Sequence, residues 1–263
     1  MPRHKKYGKD EILQEIVNKD LQNIPFFFYE ETDSTNIQAK NFAKNHPGEK
    51  AVFVADRQTL GRGRLGRKFE SFGGVGIYMS LVIPSEKDIS SGITVTAEAA
   101  VKAARAIQKV SSADPKIKWV NDLYLSEKKL AGILTEGVIS PSGEIVSYVV
   151  GIGINVYKRK FGKEIENIAT SLEDEGFFVS SRSSLAAALI DLFYTPCERS
   201  EVLSEYRKRS YLTGKRVEVV GSGAPYAAEV LGITDDYHLI VKADGEEREL
   251  FSGEVSVKPK NLK

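Results

Sequence analysis

The spacing of apolar positions changes several times along the chain, and each change predicts an element. In residues 9–20, Ile12, Ile16 and Val17 recur at helical spacing among charges, which predicts one short amphipathic helix. The aromatic run at 25–29 predicts a strand. In the segment EETDSTNIQAKNFAKN after that run, Asp33 or Ser34 can cap a helix whose apolar positions include Ile37, Phe42 and Ala43. Residues 51–55 and 76–82 read as strands entering and leaving a loop rich in arginine and glycine. Residues 94–110, alanine-rich and free of Gly and Pro, predict an uninterrupted helix. From 116 to 156 the texture is strand-like: IKWV, LYL, LAGILTEGVI and IVSYVVGIGINV, with NDL, SEKK and SPSGE as hairpin turns. Residues 184–194 and 201–210 predict two further helices. After Gly214, short segments recur about every ten residues: RVEVV, AAEVLGI, HLIVKA, REL and VSVK, divided by GSG, DDY and DGEE. That is the texture of a small β-barrel or sandwich, and it puts a domain boundary near residues 211–214.

Composition changes this picture little but narrows the function. A chain of 263 residues fits one large or two unequal domains. Its 41% hydrophobic and 28% charged content is ordinary for a soluble globular protein. A formal net charge of +1 argues against bulk attraction to nucleic acid or membrane, so local clusters of charge matter more than the total. Cys197 is the only cysteine, so no internal disulfide forms and a reducing cytoplasm is the natural setting. The basic start MPRHKKYGKDEILQEI is followed by no apolar stretch that would serve as a signal peptide. The longest nearly apolar run, 146–156, is too short to span a bilayer. The expectation is a soluble, cytoplasmic protein.

Three segments carry candidate chemistry. Residues 61–68, GRGRLGRK, set Arg62, Arg64, Arg67 and Lys68 among three glycines. The glycines let backbone approach a ligand closely, and guanidinium forks match phosphate oxygens at about 1.5–3 kcal/mol per charge-assisted hydrogen bond. Crowded arginines repel one another when the site is empty, so the loop is expected to be mobile alone and ordered around an anion. The bland reading is a solvated or RNA-contacting loop. The pattern is neither a P-loop, since GxxxxGK[ST] is absent, nor a good Rossmann fingerprint, since Phe69 and Phe72 follow where a helix should start. In KWVND (118–122) and KKLAG (128–132), a hairpin would bring Asp122 and Lys129 to one sheet edge, where a compact cation suits an α-phosphate or leaving group. Alone, these are equally a turn with solvated lysines. In GIGINV (151–156), two glycines inside a strand leave room for a ligand ring, or mark a bend.

Taken in order, DSTN at 33–36, Gln58 before GRGRLGR, SFGGVGIYMS at 71–80, KWVNDLYL at 118–125, KLAGIL at 129–134 and GIGINV at 151–156 resemble the biotin–protein ligase family. The resemblance runs from about residue 26 to 156, and the trailing β module falls where that family carries an SH3-like domain. It implies an α+β fold: a mixed β-sheet catalytic domain flanked by helices at 25–211, a small SH3-like β-barrel at 212–263, and a short helical extension at 1–24. It also implies a ligase that makes biotinyl-5′-AMP from biotin and ATP with Mg²⁺. The biotinyl group then passes to a lysine of biotin carboxyl carrier protein, an acetyl-CoA carboxylase subunit. By position, Ser34, Thr35, Asn36 and Gln58 match the biotin-pocket residues. Gly61, Arg62, Gly63 and Arg64 match the loop that contacts biotin and the adenylate. Lys129 matches the lysine that holds carboxylate and α-phosphate. Gly132, Gly151 and Gly153 match pocket backbone, Asn155 the adenine contact, and Asp122 an acidic residue that assists the acceptor lysine. No permanent metal site is expected.

The residue types fit that chemistry. A neutral, polar ureido ring needs short hydroxyl and amide partners such as Ser34, Thr35 and Gln58. Charge developing at phosphorus needs Arg64 and Lys129 in a shielded site, with Leu65 and Phe69 helping to exclude water. Three positions depart from the family: Val120 replaces a usual proline and loosens its turn, Phe69 replaces a tryptophan, and Leu65 replaces a frequently basic residue. Three rivals remain: a lipoate or octanoate ligase or transferase of related fold, a DNA-binding repressor, and a peptide-binding adaptor built on the C-terminal β module with an inactive partner domain, against which the intact Arg64 and Lys129 argue. Against the second, the roughly 25 residues before the first strand suit one helix and not a three-helix reader. Relatives dimerise through their sheets, so a homodimer is a further expectation.

Overall fold

A computed structural model describes residues 6–85, 92–221 and 223–251, together with the backbone of 256–259. Strands β1 (Phe26–Thr32), β2 (Ala51–Gln58), β3 (Gly76–Pro84), β4 (Lys116–Lys118), β5 (Asp122–Leu125), β6 (Lys128–Ile139) and β7 (Ile145–Asn155) form one sheet in the order β1-β2-β3-β7-β6-β5-β4. β1 and β2 run parallel, connected through helix α2 (Thr35–Asn45), and the other pairs are antiparallel. A second, antiparallel sheet has the order β11-β10-β9-β8-β12, from β8 (Arg216–Val220), β9 (Tyr226–Ile233), β10 (Leu239–Ala243), β11 (Glu246–Leu250) and β12 (Ser256–Pro259). The architecture is the expected α+β one. The start of the predicted VSVK segment, Val255, lies outside the described residues, as do 1–5 and 260–263.

Both faces of the larger sheet are covered, which is why β2 and β3 read as nearly continuous apolar runs. Val52 and Val54 join the main core with α3 (Gly92–Ser111) and α4 (Arg182–Tyr194), while Ala51 and Phe53 pack with Ala39 and Ala43 of α2. Six buried alanines of α3, Ala97, Ala99, Ala100, Ala103, Ala104 and Ala106, keep its packed faces small, so its neighbours can lie close. Its observed span exceeds the predicted one by two residues at the start and one at the end.

The predicted first helix is cut short. α1 covers Lys9–Glu15 only, and a 3₁₀ turn follows at Lys19–Asn23. The break comes from 174 residues away: the buried carboxylate of Asp191 on α4 accepts from Val17 N and Asn18 N, both at 3.0 Å. Those amides cannot also serve a continuing helix. Ile12 and Ile16 are buried as expected, whereas Val17 is 72% exposed.

Two local geometries set the edge of the sheet nearest α5 (Arg199–Lys208). The β5–β6 hairpin turns through Ser126 and Glu127 alone, both with positive φ (45° and 68°), the two-residue turn that matches strand twist. The segment between β4 and β5 is not loose despite Val120. That residue is buried, and its carbonyl accepts from Tyr206 Oη of α5 at 3.2 Å. The adjacent Trp119 Nε1 donates to the Tyr237 carbonyl at 2.9 Å, tying this segment to the smaller sheet's β9–β10 turn.

Candidate active site

The N-terminal end of α2, the arginine loop, and the β5, β6 and β7 strands surround a cavity of about 510 Å³. Ser34, Thr35, Asn36, Gln58, Arg62, Gly63, Arg64, Asp122, Lys129, Gly132, Gly151, Gly153 and Asn155 all line it. Of the fourteen residues singled out from sequence, only Gly61 does not. Gly61 instead lines a neighbouring cavity on the other side of the loop.

The floor is polar where the strands are apolar. Ser34 sits at the N-cap position of α2 but makes no capping hydrogen bond, contrary to one reading of the sequence. Asp33 does not cap it either, since its Oδ1 accepts from Ser34 N at 2.5 Å and from Gln38 Nε2 at 2.9 Å. Gln58 Oε1 accepts from Thr35 N at 2.7 Å and Thr35 Oγ1 at 3.0 Å, and Gln58 Nε2 donates to Ser71 Oγ at 2.9 Å. Both ends of the Gln58 amide are therefore assigned. Ser80 Oγ lies 2.7 Å from Thr35 Oγ1 and 2.6 Å from Asn36 Oδ1. Asn36 Nδ2 in turn donates to Glu136 Oε2 at 2.9 Å.

Two of the glycines hold space that other side chains fill. A Cβ at Gly151 would come 2.0 Å from Asn36 Oδ1, and one at Gly153 would come 2.5 Å from the Phe69 ring. We expect Gly151→Ala to cost roughly 1–3 kcal/mol of stability by forcing Asn36 aside. Gly137→Ala on neighbouring β6 meets nothing nearer than Ile145 at 3.7 Å and should be neutral or slightly stabilising. Urea titration of the two variants checks the contrast.

The arginine loop folds back on itself. Gly63 N donates to Arg67 O at 2.7 Å and Phe69 N to Gly61 O at 3.0 Å, closing a ribbon around a 3₁₀ turn at Arg64–Gly66. Within it Leu65 takes a left-handed φ of 56° and, although it lines the cavity, is 66% exposed; Phe69, half-buried over Gly153, covers more of it. Arg62, Arg67 and Lys68 are exposed at the cavity's rim, whereas Arg64 is partly buried and its Nη1 donates to Asn121 Oδ1 at 3.1 Å. Burial pulls the Arg64 pKa down, with the nearby Asp122 charge acting against it. Asn121 is itself anchored, its Nδ2 donating to the Ile133 carbonyl at 2.8 Å.

Lys129 reaches the cavity through an irregularity in the strand. In a regular strand, residues three apart such as Lys129 and Gly132 face opposite sides. Here Leu123 pairs with Ala131 and Tyr124 with Lys129, so Leu130 is an extra residue and Lys129 rotates onto the face of Gly132 and Asp122. Its backbone is pinned by Lys129 N to Ile168 O at 2.8 Å and Thr170 N to Lys129 O at 3.0 Å. Its Nζ forms an ion pair with Asp122 Oδ1 at 2.7 Å. At the far end, Asn155 Nδ2 donates to the Thr170 carbonyl at 3.0 Å. Among the described residues, no three His, Cys, Asp or Glu side chains gather as a metal site.

The site thus offers one partly buried guanidinium, one ammonium beside a carboxylate, and a hydrogen-bonding floor at the opposite end. Such a cavity can hold a ligand that is neutral and polar at one end and anionic in the middle. Asn121 also lines it, and Ser71, Ser80 and Glu136 lie one hydrogen bond behind lining residues, although none of the four was singled out within its segment of sequence. A lone serine in the otherwise apolar IYMSLVI was the available signal for Ser80.

Residues 28–155 match the model of the biotin/lipoate A/B protein ligase family. Over 194 residues the chain is 31% identical to the biotin–[acetyl-CoA-carboxylase] ligase of Mycobacterium tuberculosis, covering 70% of this chain and 69% of that protein. Over 249 residues it is 27% identical to the bifunctional ligase/repressor BirA of Bacillus subtilis, covering 88% and 73% respectively. In structure it is similar to the biotin protein ligase from Aquifex aeolicus in complex with biotin and ATP. The TM-score is 0.74 at 27% identity, over 90% of this chain and 99% of that one.

Proposed function

This chain belongs to the biotin–protein ligase family, and we propose that the cavity described above is where it joins biotin to ATP and then to its acceptor. As a member it is an ATP-dependent ligase that activates biotin and transfers it to a carboxylase. The finer assignments are our reading. In the first step a biotin carboxylate oxygen attacks the α-phosphorus of ATP, and the bond to pyrophosphate breaks. In the second, a lysine ε-amine of the acceptor attacks the acyl carbon, AMP leaves, and the amide forms with loss of a proton. Magnesium arrives with ATP and neutralises its phosphates.

In this reading Ser34, Thr35, Asn36 and Gln58 receive the ureido ring and Arg62 closes over it. Arg64 and Lys129 meet the carboxylate and the α-phosphate, where charge builds in the transition state. Backbone at Gly63, Gly132, Gly151 and Gly153 approaches the ligand, Gly61 closes the loop's base, Asn155 lies toward adenine, and Asp122 receives the acceptor amine. The observation that carries it is the arrival of Arg64 and Lys129, from a loop and a bulged strand, at one cavity with a hydrogen-bonded amide and hydroxyl floor. We take the acceptor to be biotin carboxyl carrier protein, the protein to be cytoplasmic, the assembly to be a homodimer, and residues 25–211 and 212–263 to be separate domains. The two distinct sheets support the last point. None of the described helices is long and apolar enough to cross a membrane.

The test incubates the protein with MgATP and labelled biotin or labelled lipoate. Biotinyl-AMP, followed by label on one lysine of the carrier, is the expected product. An adenylate formed from lipoate only would overturn the biotin assignment.

A further inference from the structure

Behind the cavity floor a buried polar chain leaves the site and ends at the surface. Asn36, 5% exposed, donates from Nδ2 to Glu136 Oε2 at 2.9 Å and more weakly to Leu134 O at 3.4 Å. The other Glu136 oxygen accepts from Lys40 Nζ at 2.8 Å, so residues one turn apart on α2 hold both oxygens of a single β6 carboxylate. An asparagine amide has two orientations that fill the same space, and its surroundings choose between them. A carboxylate chooses strongly: it accepts from the amide N–H and repels the amide oxygen.

The choice propagates. With Nδ2 on Glu136, Asn36 Oδ1 faces Ser80 Oγ at 2.6 Å, in the space that Gly151 leaves by lacking a Cβ. The single Ser80 proton then goes to that amide oxygen, the stronger of its two acceptors. Thr35 donates inward, to Gln58 Oε1 at 3.0 Å, and with the Ser80 proton on Asn36 keeps both lone pairs for the cavity. Were the Asn36 amide reversed, its Nδ2 would donate to Ser80, the Ser80 proton would turn to Thr35, and one of those lone pairs would be spent. A ring N–H in the cavity would meet a weaker acceptor.

We infer that Glu136 is a positioning residue for ligand recognition: it fixes the orientation of the Asn36 amide and thereby keeps Thr35 an acceptor for an N–H of the biotin ureido ring. The inference rests on the cavity being the biotin site. Glu136 touches no reacting atom, and Lys40 only neutralises it. The rival is a plain staple between α2 and β6, in which the ion pair is all that matters.

Two substitutions separate these. Glu136→Gln keeps the shape but carries both an oxygen and an NH₂, so it accepts either orientation of Asn36. Lys40→Met removes the ion pair and leaves the carboxylate to choose. We expect Glu136→Gln to raise the KM for biotin by roughly tenfold, about one hydrogen bond, with kcat and the KM for ATP within twofold of wild type. Lys40→Met should keep the KM for biotin within about threefold while lowering the Tm, since the pair is partly buried. The proposal fails if Glu136→Gln leaves the biotin KM unchanged, if it alters kcat or the ATP KM as much, or if both variants shift the biotin KM alike. A wild-type protein that forms no adenylate from biotin sinks the functional reading instead, so the two failures are distinct.

Discussion

Lys129→Ala is expected to lower the rate of adenylate synthesis by roughly 10²–10³-fold, the usual cost of removing one preorganised donor from a charge-developing centre. The reason lies in how the lysine is held. Its backbone is fixed on both sides by Ile168 and Thr170, the extra residue Leu130 turns it onto the cavity face, and Asp122 keeps the ammonium at that edge. Little of the charge has to be rearranged when the phosphate arrives. Lys129→Arg should recover little, because a planar fork does not occupy the place of a point charge. Pyrophosphate release measures the first step. Supplying preformed biotinyl-AMP should restore much of the second. If the Lys129→Ala protein released pyrophosphate at the wild-type rate, Lys129 would have no part in activation.

Arg64→Ala is expected to act on retention more than synthesis, shortening the lifetime of bound adenylate by roughly 10–10²-fold, the worth of one or two charge-assisted hydrogen bonds. Arg64 is partly buried and already aimed by Asn121, which is itself fixed to Ile133, so its fork is set before the ligand binds. Arg67, exposed at the rim of the same cavity, serves as the comparison, and Arg67→Ala should change the lifetime by no more than about threefold, the scale of an exposed charge. A chase with unlabelled biotin and ATP after purification reads the lifetime directly. Equal lifetimes for wild type and Arg64→Ala would remove this residue from the ligand.

What could be read from the sequence was local. Apolar periodicity set out β2, β3, α3 and the β6–β7 hairpin because each element's burial is written in its own residues. The end of α1 was not legible, since the carboxylate that stops it belongs to Asp191, far along the chain. The site divides the same way. Gly151 and Gly153 signalled close approach, but only the fold reveals that Asn36 and Phe69 do the approaching. Lys129 stood out as a candidate, yet the bulge that turns it inward looks like ordinary strand in KKLAG. Asn121 read as a turn residue, and its two hydrogen bonds connect segments 57 and 12 residues apart. Leu65 looked suited to exclude water, and at the cavity's rim, on a left-handed backbone, it is left two-thirds exposed.

The hydrogen bond from the Trp119 indole to the Tyr237 carbonyl has a thermodynamic side. Opening the β9–β10 turn strands a buried donor, which costs about 1–3 kcal/mol, and the residue bearing that donor lies two positions from the partner of Arg64. The smaller sheet and the cavity wall therefore share part of one cooperative unit. A ligand that braces Arg64 and Asn121 also lends protection to backbone amides in a sheet it never touches.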